Sequence, residues 1–112
     1  MISTEPLEEL EQYRDTLARL VSTVQTEGKS SSAIFLMKDL SARDIGMIGW
    51  RIPSDWQDQE NARHLQSVLD QIGGDAEALR KAASNESGPP TLSMVATAIS
   101  MTVERLLSRP PL

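Results

Sequence analysis

Residues 92–103 read LSMVATAISMTV and contain no charged side chain, although 24% of the chain is charged. With Leu106 they place aliphatic side chains at helical spacing: Leu92, Val95, Ile99, Val103 and Leu106. This spacing is typical of a helix that lays one face on a hydrophobic core. Proline pairs at 89–90 and 110–111 cannot continue a helix. The sequence therefore predicts a helix between them, over residues 91–108.

Within residues 92–103, the other faces of this helix carry only small, flexible or weakly polar side chains, including Met94, Ala98 and Met101. A helix that is apolar nearly all round is usually buried. The core of one chain and the interface of a homodimer both satisfy this condition, so the five aliphatic residues are expected to be core or dimer residues. A membrane span is not expected, because the uncharged run falls short of about 20 strongly apolar residues.

Length and composition indicate one helical domain, residues 1–112, in the cytoplasm. The chain has no cysteine, which excludes disulfides and thiolate metal sites. Its start, MISTEPLEEL, has acidic residues and no apolar stretch where a secretory signal would be basic and then apolar.

The charge balance argues against direct nucleic-acid binding. Sixteen acidic and eleven basic side chains give a net charge of −5, and the basic residues are spread along the chain. Ala42, Gly46 and Ile52 have the spacing of a helix-turn-helix, but Pro53 would interrupt its second helix. We therefore expect no DNA-binding helix here.

A long amphipathic helix is predicted from Thr4 to Gly28. Its apolar residues are spaced 3, 4, 3 and 4 apart: Leu10, Tyr13, Leu17, Leu20 and Val24. This face can pack on the core, or it can be offered to a partner, in which case Leu10, Tyr13 and Leu17 are candidate partner-binding residues.

Two short apolar runs follow, at 33–37 and 47–52, and periodicity does not distinguish helix from strand in either. We prefer a helix for the first run, because Ser31 or Ser32 can cap it. The alternative is an α+β fold with a short hairpin at 33–52.

The tryptophans suggest a second candidate surface. Trp and Arg are the residue types most enriched at interface hot spots, so Trp50, Arg51 and Trp56 are candidate partner-binding residues.

Ser54 and Gln57 form a capping-box pattern that predicts a helix from Trp56 to a stop at Gly73 and Gly74. Its apolar face is Ala62, Leu65, Val68, Leu69 and Ile72. Asp75 is expected to cap a shorter helix. The only histidine, His64, is expected to pair with Glu60 on the surface.

Catalytic and metal-binding patterns are missing from the sequence. We find no glycine-rich phosphate loop, no zinc-protease or nucleophile-elbow motif and no calcium loop. The chain is therefore expected to be no enzyme and to use no cofactor or metal. Together with the helical patterns above, this predicts an all-α bundle of four to five helices that forms a homodimer.

The leading helix ELEQYRDTLARLVSTV (residues 9–24), the size, the acidity and the absence of cysteine resemble the small helical quorum-sensing antiactivators of pseudomonads. The resemblance implies a regulator that binds one protein partner, a LuxR-type transcription activator, and blocks its dimerisation.

Two alternatives remain: an immunity or antitoxin-like inhibitor of a toxic enzyme, and a bundle that binds a small ligand between Phe35, Met94 and Met101.

Overall fold

The computed structural model describes residues 4–28, 30–52, 56–83 and 91–108, and within these ranges the chain is all-α. The described ranges contain five α-helices: α1 (Thr4–Glu27), α2 (Ser31–Ala42), α3 (Ile45–Trp50), α4 (Ala62–Ala82) and α5 (Thr91–Leu107). A 3-10 turn, Trp56–Asp58, precedes α4. The predicted helical bundle is confirmed. Ser54, Pro53 and the proline pairs at 89–90 and 110–111 lie outside the described residues.

The helices form a bundle in which the two short helices α2 and α3 together pack along α1. Gly28 ends α1 as predicted, with φ of +67°, a backbone region that favours glycine. The chain then returns along α1, because Arg43 after α2 reaches Gln12 and Arg51 after α3 reaches Glu9. The two remaining helices are α4, which packs on α1, and α5, which packs along α4.

One side of this bundle is less tightly closed than the others. Helix α5 packs extensively on α4 but only sparsely on α2 and α3. A groove of about 270 Å³ therefore runs between α2, α3 and α5, with Tyr13 of α1 among its lining residues.

The predicted seam of α1 lies in the core. Leu10, Leu17 and Leu20 are fully buried, and Tyr13 and Val24 are nearly so. They pack with the buried leucines and valine of α4, so the spacing of these residues reflects core packing.

The aliphatic face of α5 is also part of this core. Leu92, Ile99, Val103 and Leu106 are buried within a single chain, and Val95 is half-buried against them. Of the two locations expected for this face, the structure shows the core.

The hairpin alternative for residues 33–52 is wrong, because these residues form α2 and α3. The cap of α2 is Ser30, whose hydroxyl accepts a hydrogen bond from the backbone N–H of Ala33, and not Ser31 or Ser32. Asp44 caps α3 in the same way through the N–H of Gly46, at 2.9 Å. The Asp44 cap lets α3 begin with only two residues between it and the end of α2.

The predicted stop at Gly73 and Gly74 is wrong as well, because α4 runs through them and through Asp75 without a break. A Cβ atom at Gly73 would lie 3.4 Å from Val103 of α5, an ordinary van der Waals contact, so α4 passes close to α5 at this glycine. The α-helix also begins later than predicted, at Ala62, since the segment from Trp56 to Ala62 has tighter turns, with Gln59 N–H bonded to Trp56 and Ala62 N–H to Gln59.

Candidate functional site

Helix α3 is held against the bundle by its inner face. Ile45, Ile48 and Gly49 are buried, and a Cβ atom at Gly49 would lie 2.8 Å from Leu106 of α5. Only glycine allows this approach without displacing Leu106. The position of the inner face determines which side chains α3 presents to solvent.

The outer face of α3 exposes two large apolar side chains. Trp50 is 79% exposed and Met47 is 61% exposed. Single exposed apolar residues are ordinary, but an exposed tryptophan one helical turn from an exposed methionine forms a patch, and such patches commonly mark interaction sites.

A groove of about 460 Å³ lies beside this patch, between α3 and the first half of α1. It is lined by Glu9, Gln12, Ala42, Arg43, Asp44, Met47, Ile48 and Arg51. We call Met47, Trp50 and this groove the α3 surface.

Polar contacts across the groove hold its charged side chains. The guanidinium of Arg51 pairs with the carboxylate of Glu9 on α1. Arg43 donates a hydrogen bond to Gln12 at 3.4 Å and lies 3.8 Å from Asp39. The two arginines are thus balanced by carboxylates, and the groove has no strong excess of either charge.

The candidate partner-binding residues are divided between surface and core. Trp50 and Arg51 lie on the α3 surface. Leu10, Tyr13 and Leu17 face the interior of the bundle, so their assignment to a partner-binding surface is wrong. Trp56 is only 1% exposed, and its assignment is wrong for the same reason.

Met47 and Glu9 are two of the α3-surface residues that were not among the predicted candidates. Met47 could have been found, since with Ile45 and Ile48 on the inner side of a helix it falls on the outer side with Trp50. Glu9 carries no local signal, because it contacts Arg51 from 42 residues away.

The interior holds one polar side-chain atom that lacks a hydrogen-bond partner among the described residues, the indole Nε1 of Trp56. Tyr13 lines the groove between α2, α3 and α5. Burial, with a smaller contribution from the carboxylate of Asp44, raises the pKa of Tyr13 well above its usual value, so this phenol stays protonated at neutral pH.

The predicted partner of His64 differs from the observed one. His64 does not pair with Glu60; its Nε2 lies 2.6 Å from Oε1 of Glu11, which joins α4 to α1. Within α4, Glu77 accepts a 3.1 Å hydrogen bond from Nε of Arg80. Among the described residues, no three His, Asp or Glu side chains are grouped so that they could hold a metal ion.

The small-ligand pocket expected between Phe35, Met94 and Met101 is not formed. All three side chains are largely exposed, at 72%, 66% and 57%. Each of them lies on the side of its helix that faces away from the core, because the inner faces of α2 and α5 are already occupied by residues such as Ala33, Leu40 and Ile99.

Comparison of the chain with protein-family models, with curated proteins and with solved structures found no match. Within the four described ranges, none of the helices combines the length and the apolar character that crossing a bilayer requires.

Proposed function

We propose that this protein acts by binding one protein partner through the α3 surface, with Trp50 as the central contact. The observation that carries the proposal is the 79% exposed indole of Trp50, which stands beside Met47 on a helix whose opposite face is locked into the core. Loss of a tryptophan of this kind commonly weakens an interface by about 2 kcal/mol or more.

Contacts within the chain hold the α3 surface in place. Asp44 caps α3, Gly49 packs closely against Leu106, and the Arg51–Glu9 ion pair connects the end of α3 to α1. A partner therefore does not have to order this helix when it binds, which reduces the entropic cost of association.

The charges of the α3 surface indicate how a partner would be recognised. Because its arginines are paired with carboxylates within the chain, strong steering by a highly charged partner is not expected. The main contribution would come from burial of Trp50 and Met47 in an apolar recess of the partner.

In its most specific form, the proposal makes the protein a cytoplasmic antiactivator. The partner is then a LuxR-type transcription activator, which is inhibited when its dimerisation surface is covered. This form is based on the resemblance of residues 9–24, the size and the acidity.

The experiment is a pull-down from cell extract with the wild-type chain and two single variants. Trp50→Ala should lose a stoichiometric partner that the wild type retains. Phe35→Ala is the matched control, since Phe35 is a similarly exposed aromatic residue on α2, and this variant should keep the partner. Equal thermal melting of the three proteins would show that none of them is misfolded.

The identity of the captured protein separates the forms of the proposal. Antiactivation is supported if the captured protein is a transcription activator and the Trp50→Ala variant no longer inhibits transcription from its promoter. A toxic enzyme would instead support an immunity protein that uses the same surface. Full binding by a Met47→Ala/Trp50→Ala double variant would rule out the α3 surface.

A further inference from the structure

Helix α5 has a second apolar face, directed away from the core. Met94 and Met101 are 66% and 57% exposed, and Ala98, also exposed, lies between them. At spacings of four and three residues, the three side chains lie in one line along the helix. We call them the α5 outer stripe.

The hydroxyl groups next to this stripe are already hydrogen-bonded within the helix. Thr97 Oγ1 donates to the carbonyl of Ser93 at 2.9 Å, and Thr102 Oγ1 donates to the carbonyl of Ala98 at 2.9 Å. Burying a hydroxyl that keeps its hydrogen bond costs much less than burying one that loses its bonds to water. The region around the stripe can therefore be covered at low cost.

The charge distribution favours a second copy of this chain as the partner that covers the stripe. With a net charge of −5, two copies repel each other wherever they present unpaired carboxylates. Residues 92–103 contain no ionisable side chain, so two copies can meet there without placing like charges together. An uncharged face is complementary to an identical uncharged face.

The spacing within the stripe also fits a two-fold axis. If that axis passes beside Ala98, two antiparallel α5 helices place Met94 of each copy near Met101 of the other. Ala98 is one residue from the centre of the 17-residue helix Thr91–Leu107, so such a pair overlaps over nearly its whole length. The small alanine side chain allows the helices to approach closely at the crossing point.

From these observations we infer that the protein forms a two-fold symmetric homodimer in which the α5 outer stripes pack antiparallel across Ala98. The contact is isologous, so the same surface is used by both copies and the assembly stops at two. It uses a helix face different from the α3 surface, and it does not depend on the proposed partner.

Sedimentation analysis tests the contact. The wild type should pass from monomer to dimer between about 1 μM and about 500 μM. Met101→Glu should weaken the dimer by at least about tenfold, because it places a carboxylate in the stripe of each copy. Phe35→Glu is the matched control, with the same new charge at a similarly exposed position on α2, and it should still dimerise.

Cross-linking tests the orientation, because the chain has no cysteine of its own. Under mild oxidation, Ala98→Cys should form a disulfide-linked dimer. Met94→Cys and Met101→Cys should cross-link poorly alone and efficiently when mixed, since a disulfide requires Cα atoms within about 7 Å.

Three results would overturn the inference. They are a wild type that stays monomeric over the whole concentration range, a dimer that Met101→Glu leaves intact, and self-linking of Met94→Cys as efficient as that of the mixture. Both charged variants lie at exposed positions, and their circular dichroism melting curves would show whether the fold is retained.

Discussion

Gly49 of α3 and Leu106 of α5 are in such close contact that a Cβ atom at Gly49 would lie 2.8 Å from one methyl of Leu106 and 3.1 Å from the other. Real Cβ atoms do not approach other heavy atoms as closely as the shorter distance. This pair determines how deeply α3 sits on the bundle and, through it, how Trp50 and Met47 are presented.

Gly49→Ala should therefore be less stable than a comparable glycine substitution elsewhere. Alanine gains up to about 1 kcal/mol from helix propensity, but the added methyl group costs about 1–3 kcal/mol by overpacking. Gly74→Ala is the control, since Gly74 is inside α4 with nothing within 4 Å of its Cβ direction. Urea unfolding should place Gly49→Ala about 1–3 kcal/mol below Gly74→Ala. Equal stabilisation of both variants would show that the contact is looser than described.

The two tryptophans should differ in their access to solvent. Trp50 is exposed and Trp56 is buried, so a Trp56→Phe variant should have red-shifted fluorescence that acrylamide quenches strongly. Trp50→Phe should emit at shorter wavelength and resist quenching. If both variants were quenched equally, Trp56 would not be enclosed by the bundle.

Gly28→Ala should destabilise the connection between α1 and α2. Gly28 has a positive φ, which costs an L-residue with a Cβ about 1–2 kcal/mol. The space around Gly28 is open, so the cost would come from backbone strain alone. Gly28→Asn should cost less, because asparagine tolerates the left-handed region better. Urea unfolding of the two variants gives the comparison, and equal losses for both would argue against a strained backbone.

Tyr13 should make the protein sensitive to alkaline pH. Its pKa is raised in the folded state, mainly by burial, whereas in the unfolded chain it is about 10. Its contribution to stability is thus complete below about pH 10 and is lost as the pH rises towards the folded-state pKa, by up to about 1.4 kcal/mol per pH unit.

Tyr13→Phe isolates this effect from the titration of other groups. At neutral pH the variant should unfold at nearly the same urea concentration as the wild type, since the substitution keeps the ring and removes only the hydroxyl. Above pH 10 the variant should be the more stable protein. Because Tyr13 is the only tyrosine, the absorbance of its phenolate reports the titration directly, and ionisation near pH 10 without unfolding would contradict the buried site.

The helices themselves follow from short-range patterns. The 3–4 spacing of Leu10, Leu17 and Leu20 and the aliphatic face of α5 predicted both helices and their apolar sides, because side chains three and four residues apart share a helix face. Gly28 likewise marks a helix end through its own backbone conformation. These features need only neighbouring residues to be recognised.

Burial of individual side chains, in contrast, was decided by the tertiary structure. The sequence presents Trp50 and Trp56 as equivalent, yet only Trp50 is outside, because α3 turns its glycine and isoleucines towards the core. Gly73 and Gly74 look like a helix end, but α4 continues through them and passes close to α5 at Gly73.

The sequence by itself predicted an all-α bundle and the apolar stripes of α1, α4 and α5, but it left open whether the α1 stripe packs on the core or on a partner and whether the α5 stripe is core or dimer seam. Only the tertiary structure decided which of the remaining apolar residues, such as Met47, Trp50, Met94 and Met101, are left facing solvent. The reason is physical: helix formation and amphipathicity depend on residues within a few turns of one another, whereas exposure depends on contacts such as Gly49 with Leu106 and Glu9 with Arg51 that join distant parts of the chain.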